Sequence, residues 1–236
     1  GVGKTTSTIN IGAGLANKGF KVLLIDLDAQ FNLTQSLGVE DGVTIYDVLS
    51  KGATFAPVKV FDNFHVVPSS LDLIKADIEL SGQIHREYIL DKALRRIKKN
   101  FDFILIDCAP SLGLLTLNAL TAAHAVLIPI QCEYFALEGL GKLLNTIKSV
   151  QKIHNPNLDI EGLLLTMFDS RLRLSNQVVE EVRKHFSTMV FETIIRRNTR
   201  LGEAPSYGES IIAYDATSKG AVNYLSLANE IIKKNV

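Results

Sequence analysis

The sequence predicts an α/β fold with a mostly parallel central β-sheet and helices on both of its faces. Two observations predict this class. Short apolar runs rich in valine, isoleucine and leucine alternate along the chain with segments of helical periodicity. The runs are continuous rather than alternately polar, which is typical of strands covered on both faces. Since a helix separates most neighbouring strands, each connection can cross over and return in parallel.

The predicted strands are the apolar runs themselves, at Val22 to Asp26, Phe64 to Val67, Phe103 to Asp107, Ala125 to Ile130, Leu163 to Met167 and Val190 to Ile195. The predicted helices are the periodic segments at Lys4 to Lys18, Tyr88 to Lys99, Leu112 to Thr121, Leu137 to His154, Ser175 to Phe186 and Ala221 to Lys234. Gly19 closes the first helix, as glycine commonly does. The segment from Glu40 to Ser70 mixes turn residues with Pro57 and Pro68, and we expect it to be a surface excursion. Residues 1–236 are therefore predicted to form one domain.

The composition excludes several classes of protein. The 236 residues carry 25 Lys and Arg against 25 Asp and Glu, so the net charge is zero and any affinity for nucleic acid must come from a local patch. A hydrophobic share of 47% excludes a disordered chain. No apolar run approaches the roughly 18 residues of a membrane span. Two cysteines cannot form a disulfide framework in a chain of this length, which favours a reducing, cytoplasmic compartment.

The first six residues, GVGKTT, have the pattern of the second half of a phosphate-binding loop and lead into the first predicted helix. Glycines let backbone N–H groups close around phosphate oxygens, and a helix N-terminus adds partial positive charge. Lys4 can reach the β- and γ-phosphates, and Thr5 can offer its hydroxyl to Mg²⁺. A glycine-rich turn before a helix is the alternative that GKT alone leaves open. The predicted phosphate-binding residues are Gly1, Val2, Gly3, Lys4, Thr5 and Thr6.

Carboxylates follow two of the predicted strands. Asp26 and Asp28 lie at the carboxyl end of the first strand, where ligands bind in open α/β sheets. Asp107 follows four apolar residues, which is the pattern of a Walker B strand whose carboxylate serves the magnesium ion. A single aspartate at a strand end could simply cap a turn. The GVGKTT motif, the carboxylates after the first strand and Asp107, occurring in this order, together favour a nucleotide site.

Five segments together resemble the ParA/MinD family of deviant Walker ATPases, and within it the partitioning ParA (Soj) group. They are GVGKTT at Gly1 to Thr6, LLIDLDAQ at Leu23 to Gln30, FILIDCAPSLGLLTLNAL at Phe103 to Leu120, PIQCEYFALEGL at Pro129 to Leu140 and RNTRLGEAPSYG at Arg197 to Gly208. The resemblance implies an ATPase that uses ATP and Mg²⁺. It also implies an ATP-dependent homodimer that binds double-stranded DNA without sequence preference, a ParB-type centromere-binding partner that stimulates hydrolysis, and a place in the cytoplasm on the nucleoid.

The resemblance also implies roles for individual residues. Lys4 and Asp28 match the catalytic positions, Asp28 being the carboxylate that orients the attacking water. Thr5 and Asp107 match the magnesium positions, with Asp107 acting through water. The remaining matches are Asn198 in the adenine-contacting region, and Arg171 and Arg200 at positions that contact DNA.

The sequence departs from the family pattern in a few places. The family loop reads KGGVGKTT, so we expect a signature lysine and a first strand upstream of Gly1. The usual DPQGN is DAQFN here, with Phe31 in place of glycine, and CPPS is CAPS at Cys108 to Ser111. The proline that precedes the RN pair is Arg196.

Two other classes compete with a partitioning ATPase. A MinD-type membrane-associated ATPase needs a terminal amphipathic helix with large apolar residues opposite lysines. Leu225 to Val236 has no aromatic residue and only two lysines, so we expect a final helix packed in the core and no stable membrane association. An iron–sulfur ATPase of the nitrogenase-reductase type needs cysteines that bridge a cluster. Cys108 and Cys132 follow apolar strands, where buried thiols are common.

The stretch from Asp169 to Arg200 carries an excess of positive charge. It contains seven Lys and Arg against four Asp and Glu. A local basic surface on a neutral chain suits weak, salt-sensitive contact with phosphates without reading of bases. A solvated surface with intramolecular ion pairs is the alternative.

Overall fold

The computed structural model describes residues 1–133 and 136–236. Tyr134 and Phe135, part of the Pro129 to Leu140 motif, lie outside the described residues. The strands are β1 (Val22–Leu27), β2 (Val58–Phe61), β3 (Phe64–Val67), β4 (Phe103–Cys108), β5 (Ala125–Gln131) and β6 (Asp159–Thr166). The helices are α1 (Lys4–Asn17), α2 (Asn32–Ser36), α3 (Ile45–Ser50), α4 (Leu73–Ser81), α5 (Ile89–Leu94), α6 (Leu114–Ala122), α7 (Ala136–Ile153), α8 (Arg173–Phe186), α9 (Arg200–Glu203), α10 (Ile211–Tyr214) and α11 (Lys219–Asn235), with short 3₁₀ turns at Arg86–Tyr88, Lys98–Asn100 and Ala204–Tyr207.

The strands form two sheets. The first has the order β2-β3-β1-β4, in which β1 pairs in parallel with β3 and β4 while the edge strand β2 runs antiparallel to β3. In the second sheet, β5 and β6 pair in parallel. The predicted mostly parallel α/β architecture is confirmed.

Strand β1 is buried along its whole length, and its side chains alternate between two cores. Val22 and Leu24 pack with residues of α1 and α11. Leu23, Ile25 and Leu27 pack with residues of α3, α4, α5 and α6. Helices therefore cover both faces of the sheet, which explains why this run shows no polar alternation.

Helix α1 lies unusually close to the sheet and to α11. A Cβ atom on Gly12 would come within 2.8 Å of Leu24 and 2.9 Å of Phe64, and one on Gly14 would come within 2.9 Å of Ala228. Real Cβ atoms do not tolerate such contacts in a close-packed interior. Gly12 therefore lets α1 lie close to the strands, and Gly14 lets it lie close to α11.

The last helix, α11, belongs to the core, as predicted. Its buried residues include Ala221, Tyr224, Leu227, Ala228 and Ile231. None of the helices in the described part of the chain is both long enough and apolar enough to cross a membrane.

The strand predicted at Val190 to Ile195 is not a strand. This segment contacts β6 through one isolated bridge, Val190 with Leu163, and a second bridge joins the residues that follow, Arg196 with Phe168. The amides of Glu192 and Thr193 donate instead to the carboxylate of Glu230 on α11, at 2.9 and 2.8 Å. The amides of Phe191 and Ile195 still donate to Leu163 and Leu165 of β6, so the pairing with β6 is interrupted between them, where Glu230 binds the backbone.

The segment from Glu40 to Ser70 is part of the core rather than a surface excursion. Helix α3 buries Ile45, Tyr46, Val48 and Leu49, and strand β2 extends the first sheet. Thr44 and Asp47 form a capping box at the start of α3, and the Thr-x-x-Asp spacing was the available signal. Helix α4 was also missed, and the helix predicted at Tyr88 to Lys99 is only the short α5 between two 3₁₀ turns.

Candidate active site

The GVGKTT motif, Gly1 to Thr6, contains a left-handed glycine directly before the first residue of α1. Gly3 has φ 87° and ψ 26°, and no side chain caps the helix there. Side chains with a Cβ rarely adopt this conformation, so glycine is required at this position. The first turn of α1 carries no acidic residue. Its N–H groups and the helix dipole are therefore suited to bind an anion.

Strand β6 fixes the motif from the other side. Thr166, at the end of β6, donates its Oγ1 hydrogen to the carbonyl of Val2 at 2.9 Å. Met167, which follows Thr166, also lies near the loop. A Cβ on Gly3 would be 3.7 Å from its Cε atom. Sequence reasoning missed the role of Thr166, because only the order of the strands brings residues 2 and 166 together.

Thr5 and Asp107 meet at the start of α1 and the end of β4. The Thr5 hydroxyl donates to Oδ2 of Asp107 at 2.6 Å. Oδ1 of Asp107 is buried and has no hydrogen-bond partner among the described residues. Burial raises the pKa of Asp107 to about 7, the Thr5 hydrogen bond and the charge of Lys4 lower it, and the charges of Asp26 and Asp28 raise it.

This pair fits a magnesium site. Hydroxyl and carboxylate oxygens are the ligands that Mg²⁺ prefers, often with water between. A buried carboxylate oxygen without a partner is costly unless a ligand satisfies it. Oδ1 of Asp107 is such an atom, and a hydrated cation would supply the missing contact. Thr5 and Asp107, predicted from separate motifs, are thus brought together.

Asp26 organises the segment that carries Asp28. Its carboxylate is fully buried and accepts hydrogen bonds from the amide and hydroxyl of Thr34, at 2.9 and 2.6 Å, and from the amide of Asp28 at 3.2 Å. Burial raises its pKa despite these bonds. We expected Asp26 only as one of two carboxylates at a strand end; the structure shows it as the anchor of this loop.

Asp28 lies just beyond β1 and is half-buried. Its Oδ1 accepts the amide hydrogen of Gln30 at 2.9 Å, and its carbonyl accepts that of Phe31. Phe31 is left-handed, with φ 43° and ψ 35°, and precedes α2. Asp28 is thus held in a tight turn that ends on a residue in an unfavourable conformation.

The region around Asn198 reaches the flank of α1 through the residues that follow it. Oδ1 of Asn198 accepts the amide hydrogen of Arg200 at 2.9 Å and so shapes the turn into α9. A cleft beside α1 is lined by Thr5, Thr6, Ile9, Asn10, Ser36, Leu201, Ala204, Pro205 and Glu209. Asn198 is near this cleft in sequence but does not line it. Asn10, another residue that sequence reasoning missed, accepts the amide of Ile211 at 2.8 Å and ties the cleft walls together.

The two predicted DNA-contacting arginines are exposed but paired. Arg171 donates through Nε and Nη2 to the two carboxylate oxygens of Asp169, at 2.9 and 2.6 Å. Arg200 donates to Glu203 at 2.9 Å and lies 3.9 Å from Asp215. The ion pairs that the alternative interpretation expected are therefore present at both arginines.

Cys132 is buried and Cys108 is partly buried. Burial raises the pKa of Cys108 to about 12 and that of Cys132 to about 11. Iron is bound by thiolates, and these environments favour the neutral thiol. The two cysteines thus give no support to the iron–sulfur class.

The fold and this site define a P-loop nucleoside triphosphatase, with a glycine-rich turn, a helix N-terminus and a strand-end aspartate that contacts the P-loop threonine. A family model described as "AAA domain" matches residues 1–160. The chain is 52% identical to the sporulation initiation inhibitor protein Soj of Bacillus subtilis, over 98% of this chain and 94% of that protein. It is 49% identical to the chromosome partitioning protein ParA of Myxococcus xanthus, over 100% of this chain and 85% of that protein.

Solved structures agree. Cobyrinic acid a,c-diamide synthase from Mycobacterium smegmatis, with bound ATP analogue and magnesium, is 38% identical with a TM-score of 0.85, over 99% of this chain and 90% of that one. The cell division ATPase MinD of Pyrococcus furiosus is 30% identical with a TM-score of 0.82, over 99% and 94%. The chain therefore belongs to the ParA/Soj family of chromosome-partitioning ATPases. This membership confirms the predicted ATPase class with ATP and Mg²⁺ as cofactors.

Proposed function

We propose that the protein is an ATP-driven switch for DNA segregation. In this proposal, ATP joins two copies face to face, the dimer binds double-stranded DNA without sequence preference, and a ParB-type partner stimulates hydrolysis and release. The protein would then act in the cytoplasm on the nucleoid. The observation that carries the ATP-dependent part is the contact of Thr5 with Asp107 beside the left-handed turn at Gly3.

The nucleotide phosphates would bind at the N-terminus of α1. Backbone N–H groups of Gly1, Val2, Gly3, Lys4, Thr5 and Thr6 would bind the phosphate oxygens, and the Lys4 ammonium group would contact the β- and γ-phosphates. Thr5 would hold Mg²⁺ through its hydroxyl, and Asp107 would hold it through water. When bound, Mg²⁺ neutralises phosphate charge and so makes phosphoryl transfer to water easier.

Asp28 would orient the attacking water. Its position is supported by Asp26, whose buried carboxylate accepts the Asp28 amide and whose other bonds go to Thr34. A carboxylate that acts on the water contributes mainly in the transition state, so it serves hydrolysis more than ATP binding. Asn198 would act at the adenine end through the turn that it shapes.

DNA would bind to the exposed basic surface that includes Arg171 and Arg200. Three further exposed arginines, Arg173, Arg196 and Arg197, have no ion pair within residues 1–133 and 136–236. The isolated bridge between Phe168 and Arg196 brings the two arginine-bearing segments together. This clustering supports a phosphate-binding surface on a chain of zero net charge.

The test is DNA retention by the purified protein with ATP, with ADP and without nucleotide. We expect retention of two unrelated duplex sequences with equal affinity, only with ATP and Mg²⁺, together with a dimer by light scattering. A parallel arm uses vesicles with anionic lipids. Retention on vesicles but not on DNA, or DNA retention that ignores the nucleotide, would contradict the proposal.

A further inference from the structure

The pair of Asp169 and Arg171 is a closed local unit on the loop that follows β6. Oδ1 of Asp169 accepts both the backbone amide of Arg171, at 3.0 Å, and its Nε, at 2.9 Å, while Oδ2 accepts Nη2 at 2.6 Å. The aspartate side chain is only 13% exposed, whereas the arginine side chain is 85% exposed. The carboxylate is therefore fixed by the loop, and the guanidinium lies over it facing solvent.

A carboxylate held in this way occupies the same N–H groups of an arginine that a phosphate would bind. The guanidinium binds carboxylates and phosphates with the same planar arrangement of N–H groups, two of them to two oxygens. We propose that Asp169 competes with DNA phosphates for Arg171 and thereby keeps the DNA affinity of the protein low. The inference rests on the proposed DNA-binding function and adds a residue that limits it.

The charges around the pair fit this role. The hydrogen bonds from Arg171 lower the pKa of Asp169, and the charge of Arg197 lowers it further. The backbone amide of Arg197 donates to the carbonyl of Phe168. Asp169 thus offsets positive charge from two arginines of the basic surface, Arg171 and Arg197. Arg200 is also paired with a carboxylate, through a single bond from its Nη1 to Oε2 of Glu203. The surface would therefore attract DNA through the arginines without ion pairs. Arg171 must first release the Asp169 carboxylate before it can bind a DNA phosphate.

Asp169→Asn tests the competition with little change to the loop. Asparagine keeps an Oδ1 acceptor for the Arg171 amide, so the turn is retained while the negative charge is lost. An exposed ion pair contributes little, so the expected gain in affinity for duplex DNA, with ATP bound, is about two- to five-fold. The slope of log affinity against log salt should steepen by up to about one, because Arg171 then releases its own counterion from DNA.

The matched control is Asp91→Asn. Asp91 holds Arg95 at 2.6 Å on α5, which packs against α3 and α6, and its loss changes the net charge equally. Affinity should not change in this variant. In an Arg171→Ala background, Asp169→Asn should gain less than in the wild-type background. Melting temperatures establish that each variant is folded.

The outcomes separate the two proposals. A wild-type protein that does not retain DNA with ATP overturns the proposed function. If the wild type retains DNA, unchanged or weaker binding by Asp169→Asn overturns the competition, and so does an equal gain in Asp91→Asn or in the Arg171→Ala background. Tighter binding confined to Asp169→Asn and dependent on Arg171 supports it.

Discussion

Asp26 and Asp107 lie opposite each other on the adjacent parallel strands β1 and β4, and both carboxyl groups are buried. Burial raises the pKa of both groups, and the charge of Asp26 adds to the shift of Asp107. Two acids are therefore held side by side where burial opposes the charged form of each carboxyl group. The site is built for a positively charged ligand.

This arrangement predicts that the protein without ligands loses stability as the pH rises from about 4 to about 7. Asp107 has a folded pKa of about 7 against an unfolded value of 3.8. In this window the folded state binds more protons than the unfolded state, so the free energy of unfolding falls as protons leave. Asp107→Asn should flatten the profile and raise stability at pH 7.5 by on the order of 3 kcal/mol.

Urea denaturation at several pH values, with chelator, measures this effect. Millimolar Mg²⁺ should reduce the loss of stability in the wild type, because it favours the ionised carboxylate, and should change little in Asp107→Asn. Parallel pH profiles for the two proteins would contradict the assignment.

Asp28→Ala is expected to retain ATP while hydrolysis falls by roughly 10²-fold or more, because the carboxylate acts on water in the transition state. ATP affinity and phosphate release are measured on the same samples. Lys4→Ala should instead lose ATP affinity. A loss of ATP binding in Asp28→Ala as large as that in Lys4→Ala would assign Asp28 to binding.

Thr166→Val should weaken ATP binding without changing the nucleotide contacts themselves. It removes the hydrogen bond to the Val2 carbonyl and keeps the side-chain shape. A loss of about two- to ten-fold in affinity is expected from one hydrogen bond. Thr146→Val on α7, which also loses a hydroxyl bonded to a backbone carbonyl, is the control. Equal ATP affinity in both variants would show that β6 does not support the loop.

Gly12→Ala should destabilise the fold by about 1–3 kcal/mol, because the added Cβ meets Leu24 and Phe64 in a packed core. Gly141→Ala, in α7, adds the same atom to open space and should be neutral or stabilising. Chemical denaturation compares the two. Equal stability of both variants would mean that α1 can move away from the sheet at no cost.

Arg200→Ala should weaken binding to all duplex sequences alike and reduce the magnitude of the log–log salt slope by roughly one. Titrations at several salt concentrations measure the slope. Arg95→Ala, which breaks the exposed pair with Asp91 on α5, serves as control. If Arg200→Ala kept its DNA affinity but melted at a lower temperature, the role of Arg200 would be to stabilise the fold through its ion pairs with Glu203 and Asp215.

Contiguous features could be predicted from the sequence, and features that join distant residues could not. The helix predicted from Lys4 and the strand predicted at Phe103 to Asp107 are each written in one short run, and the structure has α1 from Lys4 and β4 at Phe103–Cys108. The bonds from Thr166 to Val2 and from Thr34 to Asp26 depend on strand order and on loop path. No local pattern encodes either.

The wrong strand at Val190 to Ile195 has the same cause. Its composition suits a strand, but the amides of Glu192 and Thr193 are bonded to Glu230, which is 38 and 37 residues away. Tertiary contacts decide such cases. Helix α3 is the opposite case, a helix that was missed although a local signal was present. The Thr44–Asp47 capping box at its start could have revealed it.

The left-handed conformation of Phe31 lowers the population of the observed conformation of the loop that carries Asp28. The family motif has glycine here, which adopts this conformation freely, whereas another residue pays roughly 1–2 kcal/mol. That cost corresponds to about a five- to thirty-fold change in the ratio of the observed loop to any relaxed form. In this chain, therefore, the hydrogen bonds between Thr34 and Asp26 must offset the conformational cost at Phe31. Their strength sets the fraction of time that Asp28 spends in its observed position.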